Sequence, residues 1–426
     1  MSIENIRCFS SPQTLSLESD ARTPARWTLI LGENGVGKTT LLQLLALGAA
    51  ADYTSSPVPN LWRLHAPKLA DGFGNRGLVR STQRGRVDYK TLWAETLDNS
   101  EQSISDGASV DGNSTGWTTK GYDEERRSIV YGYGANRRRA PRGMTAESSD
   151  DPVETLFNDD ATLRNPEEWL LQNELVANTD SPLKQRAQRQ KERVSGILTR
   201  ILPGIEEIRV ASRASANQQV RASAEVRGPD GWIPFSALGL GYRTMTAWIV
   251  DLASRLFERY GDLEDPLTGP AVCLVDEIDL HLHPRWQRDL IERLSLLFPR
   301  TQFIATAHSP LIVQAAPDAN LVVLRRRGDG VEIDSAPRSV RQWRIDQILT
   351  SELFDLPSAR PPELDALLRE RDGLLGKAIL DERDTARLAE LREKLGALPQ
   401  GDTPEDIEAM DVIRRAAKAL KDTPGS

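Results

Sequence analysis

Cysteine is nearly absent. The 426 residues carry only Cys8 and Cys273, each beside an apolar segment. Two isolated thiols argue against a disulfide framework or a thiolate metal cluster and fit core positions in a reducing compartment. Long apolar runs are missing too: none approaches the roughly 20 residues of a bilayer span, so no membrane association is expected. Residues 1–20 lack the basic and apolar regions of a secretory leader, and a cytoplasmic location is the expectation. Excess positive charge is also lacking. A formal net charge of −8 argues against non-specific coating of nucleic acid. It leaves room for a local basic groove, so nucleic acid stays among the candidate partners. The basic run 184–193 is far too short for a long coiled-coil arm. His281-Leu282-His283 has a spacing that can ligate zinc, but no cysteine or third histidine accompanies it, and a turn packed against a second subunit is the better reading. What remains, 39% hydrophobic and 27% charged residues, is ordinary globular composition, enough for one large core with additions or for two to three domains.

Against these absences stands the stretch 27–47, WTLILGENGVGKTTLLQLLAL. An apolar strand runs into a glycine-rich turn and then into an apolar run of helical length, which is the context that G-x-x-x-x-G-K-[ST] requires. Gly32, Gly35 and Gly37 let the backbone curl so that its N–H groups face an anion, and the new helix adds its positive end. Lys38 supplies a point charge for β- and γ-phosphates, and the Thr39 hydroxyl is a ligand for Mg²⁺. Asn34, Gly35, Gly37, Lys38, Thr39 and Thr40 form the expected ATP-binding set.

A second motif lies far along the chain. AVCLV reads as a fully buried strand, and it delivers Asp276 and Glu277 at its C-terminal end, where ligands bind in open α/β sheets. The aspartate is placed to orient Mg²⁺ and the glutamate to polarise an attacking water. The next apolar strand, TQFIATAHSP, ends at His308, which is expected at the γ-phosphate.

Between and around these motifs the pattern is plainer. Residues 3–18 fit two short strands, and 77–97 look like strand material. Residues 98–121, dense in Ser, Gly, Asp and Asn, read as a mobile loop or hairpin tip. A strand at 128–131 leads to the cluster Arg137, Arg138, Arg139 and Arg142, expected either to hold phosphate oxygens or to sit in a solvated loop. Asn165-Pro166-Glu167-Glu168 caps a helical stretch over 153–200. IEEIRV, QQVRASAEV and GWIPFSAL read as a β-meander with Arg209, Arg213 and Arg221 on an exposed face. PRWQRDLIERLSLLF is an amphipathic helix with Pro284 in its first turn. LVVLRRRGDGVEID is a hairpin across 328–330. Helices follow from Ile345, one started between Asp381 and Asp384 with Leu388, Leu391 and Leu395 along it, another capped at Thr403. No strand–acid–strand D-x-D pattern follows, so no nuclease module is read in this chain.

In order, GENGVGKTT, FSALGLGYRTM, LVDEIDLHLHP and ATAHSP resemble the Walker A, signature, Walker B with D-loop, and switch histidine of ABC-type ATPases. The likeness is to the RecF/SMC-like "AAA family" branch and covers roughly residues 1–50 and 128–345. YGYGANRRR and the C-terminal QILTSELFDL are similar to the ATPases of anti-phage defence operons, the Septu and retron-linked ones, which work with a separate HNH nuclease. The resemblance implies that Gly239 and Gly241 of one subunit cap the γ-phosphate held by another, hence a homodimer or higher homo-oligomer around ATP. It also implies catalytic roles for Glu277 and His308, with Thr39 and Asp276 holding Mg²⁺. Two departures stand out. The family's L-S-x-G is Leu238-Gly239-Leu240-Gly241 here, without the serine hydroxyl, and no clear Q-loop glutamine is present, with Asn136 as a stand-in.

The expected fold is α/β: a P-loop NTPase of ABC-ATPase head type with an antiparallel β subdomain, a short helical insertion and a C-terminal helical region. The expected division is 1–150 (with a variable insertion at about 52–127), 151–200, 201–345 and 346–426. The expected function is an ATP-driven sensor or switch subunit of an antiviral defence complex that controls a separate effector such as an HNH nuclease. The rivals are a RecF-like DNA-repair ATPase and a structural ATP-binding scaffold.

Overall fold

The computed structural model describes residues 1–4, 7–18, 24–49, 85–89, 108–113, 116–120, 130–140, 151–180, 182–214, 220–328, 330–335, 340, 342–356, 359, 361–377 and 380–395. The turn-rich stretch 52–70, Arg142 and the segment from Thr403 lie outside them. The chain divides into two units, Met1–Ala336 and Pro337–Ser426.

The first unit opens with β1 (Ser2–Glu4) and β2 (Gln13–Thr14), then β3 (Trp27–Gly32) and helix α1 (Lys38–Ala49). Strands β4 (Gly85–Tyr89), β5 (Ala108–Asn113) and β6 (Gly116–Lys120) follow. They extend β1 and β2 into an antiparallel sheet of order β2-β1-β4-β5-β6. The Ser/Gly/Asp-rich stretch therefore carries a paired β5–β6 ladder, from Ser109 opposite Lys120 to Asn113 opposite Gly116.

Strand β7 (Val130–Tyr133) is followed by the short pair β8 (Arg138–Arg139) and β9 (Thr162–Leu163); Ser128, where the sequence pattern begins, lies outside the described residues. Helix α2 (Pro166–Ala177) begins as expected: the Asn165 side chain accepts the N–H groups of Glu167 and Glu168, and Pro166 takes the first helical position, where no N–H is needed. Helix α3 (Lys184–Ile201) buries Val194, Ile197, Leu198 and Ile201 and leaves the basic start of the helix largely outside. The meander β10 (Glu207–Ala214), β11 (Val220–Gly228) and β12 (Gly231–Pro234) is a three-stranded antiparallel sheet.

After it come α4 (Leu240–Arg259), β13 (Ala271–Val275), α5 (Pro284–Leu297), β14 (Thr301–Thr306), α6 (Pro310–Ala315), and the hairpin β15 (Asn320–Arg327) and β16 (Gly330–Asp334). These strands close the central sheet, of order β16-β15-β3-β14-β13-β7, parallel throughout except for the antiparallel edge strand β16. The parallel strands are covered on both faces, which is why AVCLV is buried at all five positions and why the strands read as continuous apolar runs. One face packs on α1 through Leu41, Leu42, Leu44 and Leu45, all buried with Ile30, Leu274 and Ile304. Each such side chain contributes about 1.5–3 kcal/mol relative to exposure. Trp27 and Phe303, partners across β3 and β14, stack at 4.4 Å. The order of strands matters most for function. β14 lies between β3 and β13, so three loops emerge side by side at the C-terminal edge of the sheet.

The second unit contains α7 (Ile345–Leu349), α8 (Pro362–Leu375) and α9 (Glu382–Leu395). Asp381 caps α9, its Oδ1 accepting the Asp384 N–H at 2.7 Å. Arg387 of α9 forks onto Glu370 of α8 with bonds of 2.7 and 2.9 Å. Leu391 and Leu395 are buried and Leu388 is half-buried. Among the described residues no helix is long and apolar enough to cross a membrane.

Candidate nucleotide site at the edge of the central sheet

The loop after β3 curls back on itself before α1 begins at Lys38. Gly37 sits at φ 96° and its Cα lies against the Cys8 thiol, so any side chain there would both strain the backbone and strike sulfur. Cys8 in turn donates to the Val36 carbonyl at 3.4 Å, and burial pushes its thiol above the usual range. The Lys38 ammonium is buried and donates to the carbonyls of Gly32 and Glu33, both at 2.8 Å. Burial lowers its pKa, an effect opposed by the carboxylates of Asp276, Glu277 and Asp279. The amine is thus folded onto its own loop, with three acids in its field. Asn34, Gly35 and Thr39 are exposed, whereas Thr40 is buried.

Walker A meets Walker B through one bond. Thr39 Oγ1 donates to Asp276 Oδ2 at 2.6 Å, joining residues 237 apart in the chain. A hydroxyl and a carboxylate form the oxygen-only donor set that a hard divalent cation takes. Asp276 is buried and Glu277 half-buried. Glu277 adopts φ 48°, a left-handed conformation that a non-glycine residue keeps only when its surroundings enforce it. Those surroundings are specific. The Asp276 N–H donates to the Tyr133 carbonyl at 2.8 Å, and the Glu277 N–H donates to Thr306 Oγ1 at 2.6 Å.

From behind, Arg137 holds the same turn. Its guanidinium donates to the carbonyls of Asp276 and Glu277, the second at 2.7 Å, and lies 6.0 Å from the Trp248 ring. Burial pushes its pKa down to about 10, the acids of the Walker B loop opposing. The sequence leaves this arginine cluster between a phosphate contact and a solvated loop, and two of its members fall differently. Arg137 is a buried strut behind the acids, and Arg138 pairs with Asp160 at 3.0 Å on the surface.

His308 is exposed just past β14, and its main-chain N–H donates to both oxygens of Asp279, at 3.0 and 3.3 Å. The strand order β3-β14-β13 thus sets Lys38, Thr39, Asp276, Glu277 and His308 in loops at one sheet edge, and hydrogen bonds, two of them through Thr306, join Thr39, Asp276 and Glu277. Gly239 and Gly241 lie at the start of α4: Gly239 is its N-cap, with no side chain to bond the helix amides. Gly241 packs against the loop after Walker B, where a Cβ would come within 2.5 Å of the His281 carbonyl. His283 is the N-cap of α5, its Nδ1 accepting the Arg285 N–H at 3.2 Å. Among the described residues no three of His, Cys, Asp and Glu gather as a metal cluster.

Three participants escape the sequence patterns. Arg7 donates to Thr40 Oγ1 at 2.9 Å and to Gln43 Oε1 at 3.2 Å, bracing the first turn of α1, and burial lowers its pKa. Asp279 and Thr306 are the others. Asp279 lies within LVDEIDLHLHP and Thr306 within ATAHSP, each two residues from Glu277 or His308, and that proximity is the signal that could have found them.

Residues 28–314 match the family model described as "AAA domain, putative AbiEii toxin, Type IV TA system". Over 396 residues the chain is 26% identical to Septu protein PtuA of Bacillus mycoides (strain KBAB4), covering 92% of this chain and 49% of that protein. Over 158 residues it is 30% identical to the Retron Vc95 probable ATPase of Vibrio cholerae serotype O1 biovar El Tor, 37% of this chain and 31% of that one. The chain thus spans half or less of the length of these relatives. Among solved structures, an SmcHead bound to the C-winged helix domain of ScpA aligns with 79% of this chain and 96% of its own at 15% identity and TM-score 0.43.

Proposed function

This chain belongs to the AAA-domain family whose model it matches, and we propose that it binds and hydrolyses ATP as the switch subunit of an antiviral defence complex. The observation that carries the site is the 2.6 Å bond between Thr39 and Asp276, which joins the phosphate loop to the acid strand. The similarity to PtuA and to a retron ATPase supports the setting.

Bound Mg²⁺–ATP would supply the reactive phosphoryl group and the charge that offsets its negative oxygens. Thr39 and Asp276 are the residues that would hold the metal, and their oxygen donors fit it. Lys38 has two neutral carbonyl partners to exchange for β- and γ-phosphate oxygens, a change that favours its charged form. Glu277 is the general base for water, fixed in direction by its left-handed backbone. His308, exposed at the same sheet edge, would contact the γ-phosphate. Asn34, Gly35, Gly37 and Thr40 complete the phosphate loop.

Gly239 and Gly241 begin α4, and, as the resemblance to ABC-type ATPases implies, a second copy of the chain would present its α4 start to the γ-phosphate. ATP then closes a homodimer. The absent serine hydroxyl at Gly239 makes turnover slow, and the closed state passes its signal to a separate effector of the HNH nuclease kind.

The test is direct. Wild-type protein and Lys38→Ala are titrated with ATP by calorimetry, assayed for phosphate release and sized with and without ATP. Wild type binds, turns over and dimerises, and the alanine variant does none of these. Unchanged affinity in Lys38→Ala would remove the site assignment. Co-expression with neighbouring open reading frames then identifies the effector by co-purification.

A further inference from the structure

Thr306 is the last residue of β14 and is wholly buried. Its hydroxyl makes two bonds of 2.6 Å: it accepts the main-chain N–H of Glu277 and donates to Asp276 Oδ1. A hydroxyl has one proton, so with the Glu277 amide already donating to it, that proton is committed to the aspartate. The other carboxylate oxygen, Oδ2, accepts the hydroxyl of Thr39. The two oxygens of Asp276 are therefore not equivalent. One is held from inside the sheet by a buried strand residue. The other faces the exposed phosphate-loop residue.

The position of β14 between β3 and β13 makes this possible. Thr306 is the partner of Ile30 in the register with β3, and its neighbour Ala305 is opposite Val275, the residue before Asp276. The side chain of Thr306 therefore projects at the level of the Walker B turn. A single hydroxyl ties the metal-holding carboxylate to the backbone of the residue that activates water.

On the reading that Thr39 and Asp276 hold Mg²⁺, we propose that Thr306 is the positioning residue of that site: its hydroxyl sets the rotation of the Asp276 carboxylate so that Oδ2 is the metal-facing oxygen, and with the same atom it anchors Glu277 in its left-handed conformation. Among the described residues Thr39 and Thr306 are the side chains that bond the Asp276 carboxylate, and of the two only Thr306 is buried. When Thr39 turns to the metal, Thr306 is the hold that remains. Arg137 does not substitute for it, because Arg137 bonds the carbonyls of the turn and not the carboxylate.

Valine matches threonine in shape and lacks the hydroxyl, so Thr306→Val removes the two bonds with little change in packing. The readout is Mn²⁺ binding to the full chain, followed by its electron paramagnetic resonance signal with ATP present. ATP affinity is measured separately in EDTA. Thr306→Val is expected to weaken Mn²⁺ binding about tenfold or more while leaving metal-free ATP binding unchanged, as the loss of an outer-shell partner does. Thr306→Ser, which keeps the hydroxyl, is expected to bind Mn²⁺ like wild type. A valine variant with wild-type Mn²⁺ affinity overturns the proposal, and so does a folded serine variant that loses it. If the valine variant does not fold, Thr306→Cys, with only a weak donor, is held to the same loss. A wild-type protein that binds ATP but gains no Mn²⁺ with it overturns the Mg²⁺ site itself, and this is visible before any substitution is made.

Discussion

The carboxylate of Asp279 receives the main-chain N–H of His308 on both oxygens, at 3.0 and 3.3 Å. An acid three residues past Asp276 thus holds the backbone of His308, the residue proposed to sense the γ-phosphate. The charged acceptor makes this stronger than a neutral main-chain bond. Asp279→Ala is expected to lower kcat by about tenfold or more, in proportion to a lost charge-assisted contact of about 1.5–3 kcal/mol. ATP affinity stays as in wild type, because the phosphate loop is untouched. Asp279→Asn keeps one acceptor and recovers part of the rate. Steady-state phosphate release beside calorimetric ATP binding checks both, and a fall in affinity with unchanged kcat would contradict the assignment.

Glu277→Gln preserves the backbone bonds that hold the turn and removes the proposed base. The variant is expected to retain Mg²⁺–ATP and accumulate as a closed dimer while turnover falls by about 10²–10⁴-fold, the usual contribution of a positioned base. Light scattering with ATP and a single-turnover assay give the two readings. Normal turnover would show that another residue activates water.

The glycines at the start of α4 separate by substitution. A Cβ at Gly239 meets nothing within 4 Å, whereas at Gly241 it would lie 2.5 Å from the His281 carbonyl. Gly239→Ser is expected to fold normally, with a few tenths of a kcal/mol from the added helix cap. It should hydrolyse ATP roughly tenfold faster by restoring a transition-state donor. Gly241→Ala forces α4 from the loop after Walker B and should lower the melting temperature. An unchanged rate in the serine variant would mean that glycine is adapted to this site.

Arg137→Met removes a buried cation and leaves the carbonyls of Asp276 and Glu277 without those donors. The expected cost is about 2–4 kcal/mol, the sum of stranded carbonyls and reduced by release of the desolvated charge. Urea denaturation measures it. A shift within about 0.5 kcal/mol, typical of a surface position, would show that the strut is not stabilising.

The second unit is expected to be dispensable for nucleotide binding, because every residue of the candidate site lies within Met1–Ala336. A chain ending at Ala336 should bind ATP and dimerise, yet fail to co-purify with an effector that docks on the helical unit. Capture of the effector by the shortened chain would place docking on the first unit.

Local chemistry was legible without coordinates wherever it is local in the chain. A strand, a glycine-rich turn and a helix are contiguous, so the phosphate loop around Lys38 could be read directly. The same holds for AVCLV before Asp276, for the Asn165 cap and for the proline start of α5, since each depends on neighbours within a few residues. The arginine cluster shows the limit. Charge is visible in a sequence and burial is not, so Arg137 read as either a phosphate contact or a solvated loop residue until the fold set it behind the acids. Thr306 and Asp279 lie inside the motifs ATAHSP and LVDEIDLHLHP, which by themselves assign them no role. Their roles arise because β14 is inserted between β3 and β13, and strand order is settled by long-range pairing. Sequence determined that a glycine-rich turn links an apolar strand to a helix and that two acids follow a second buried strand. The tertiary structure alone decided which neighbours hold them, because a hydrogen bond between residues 237 apart exists only once the sheet has brought them to 2.6 Å.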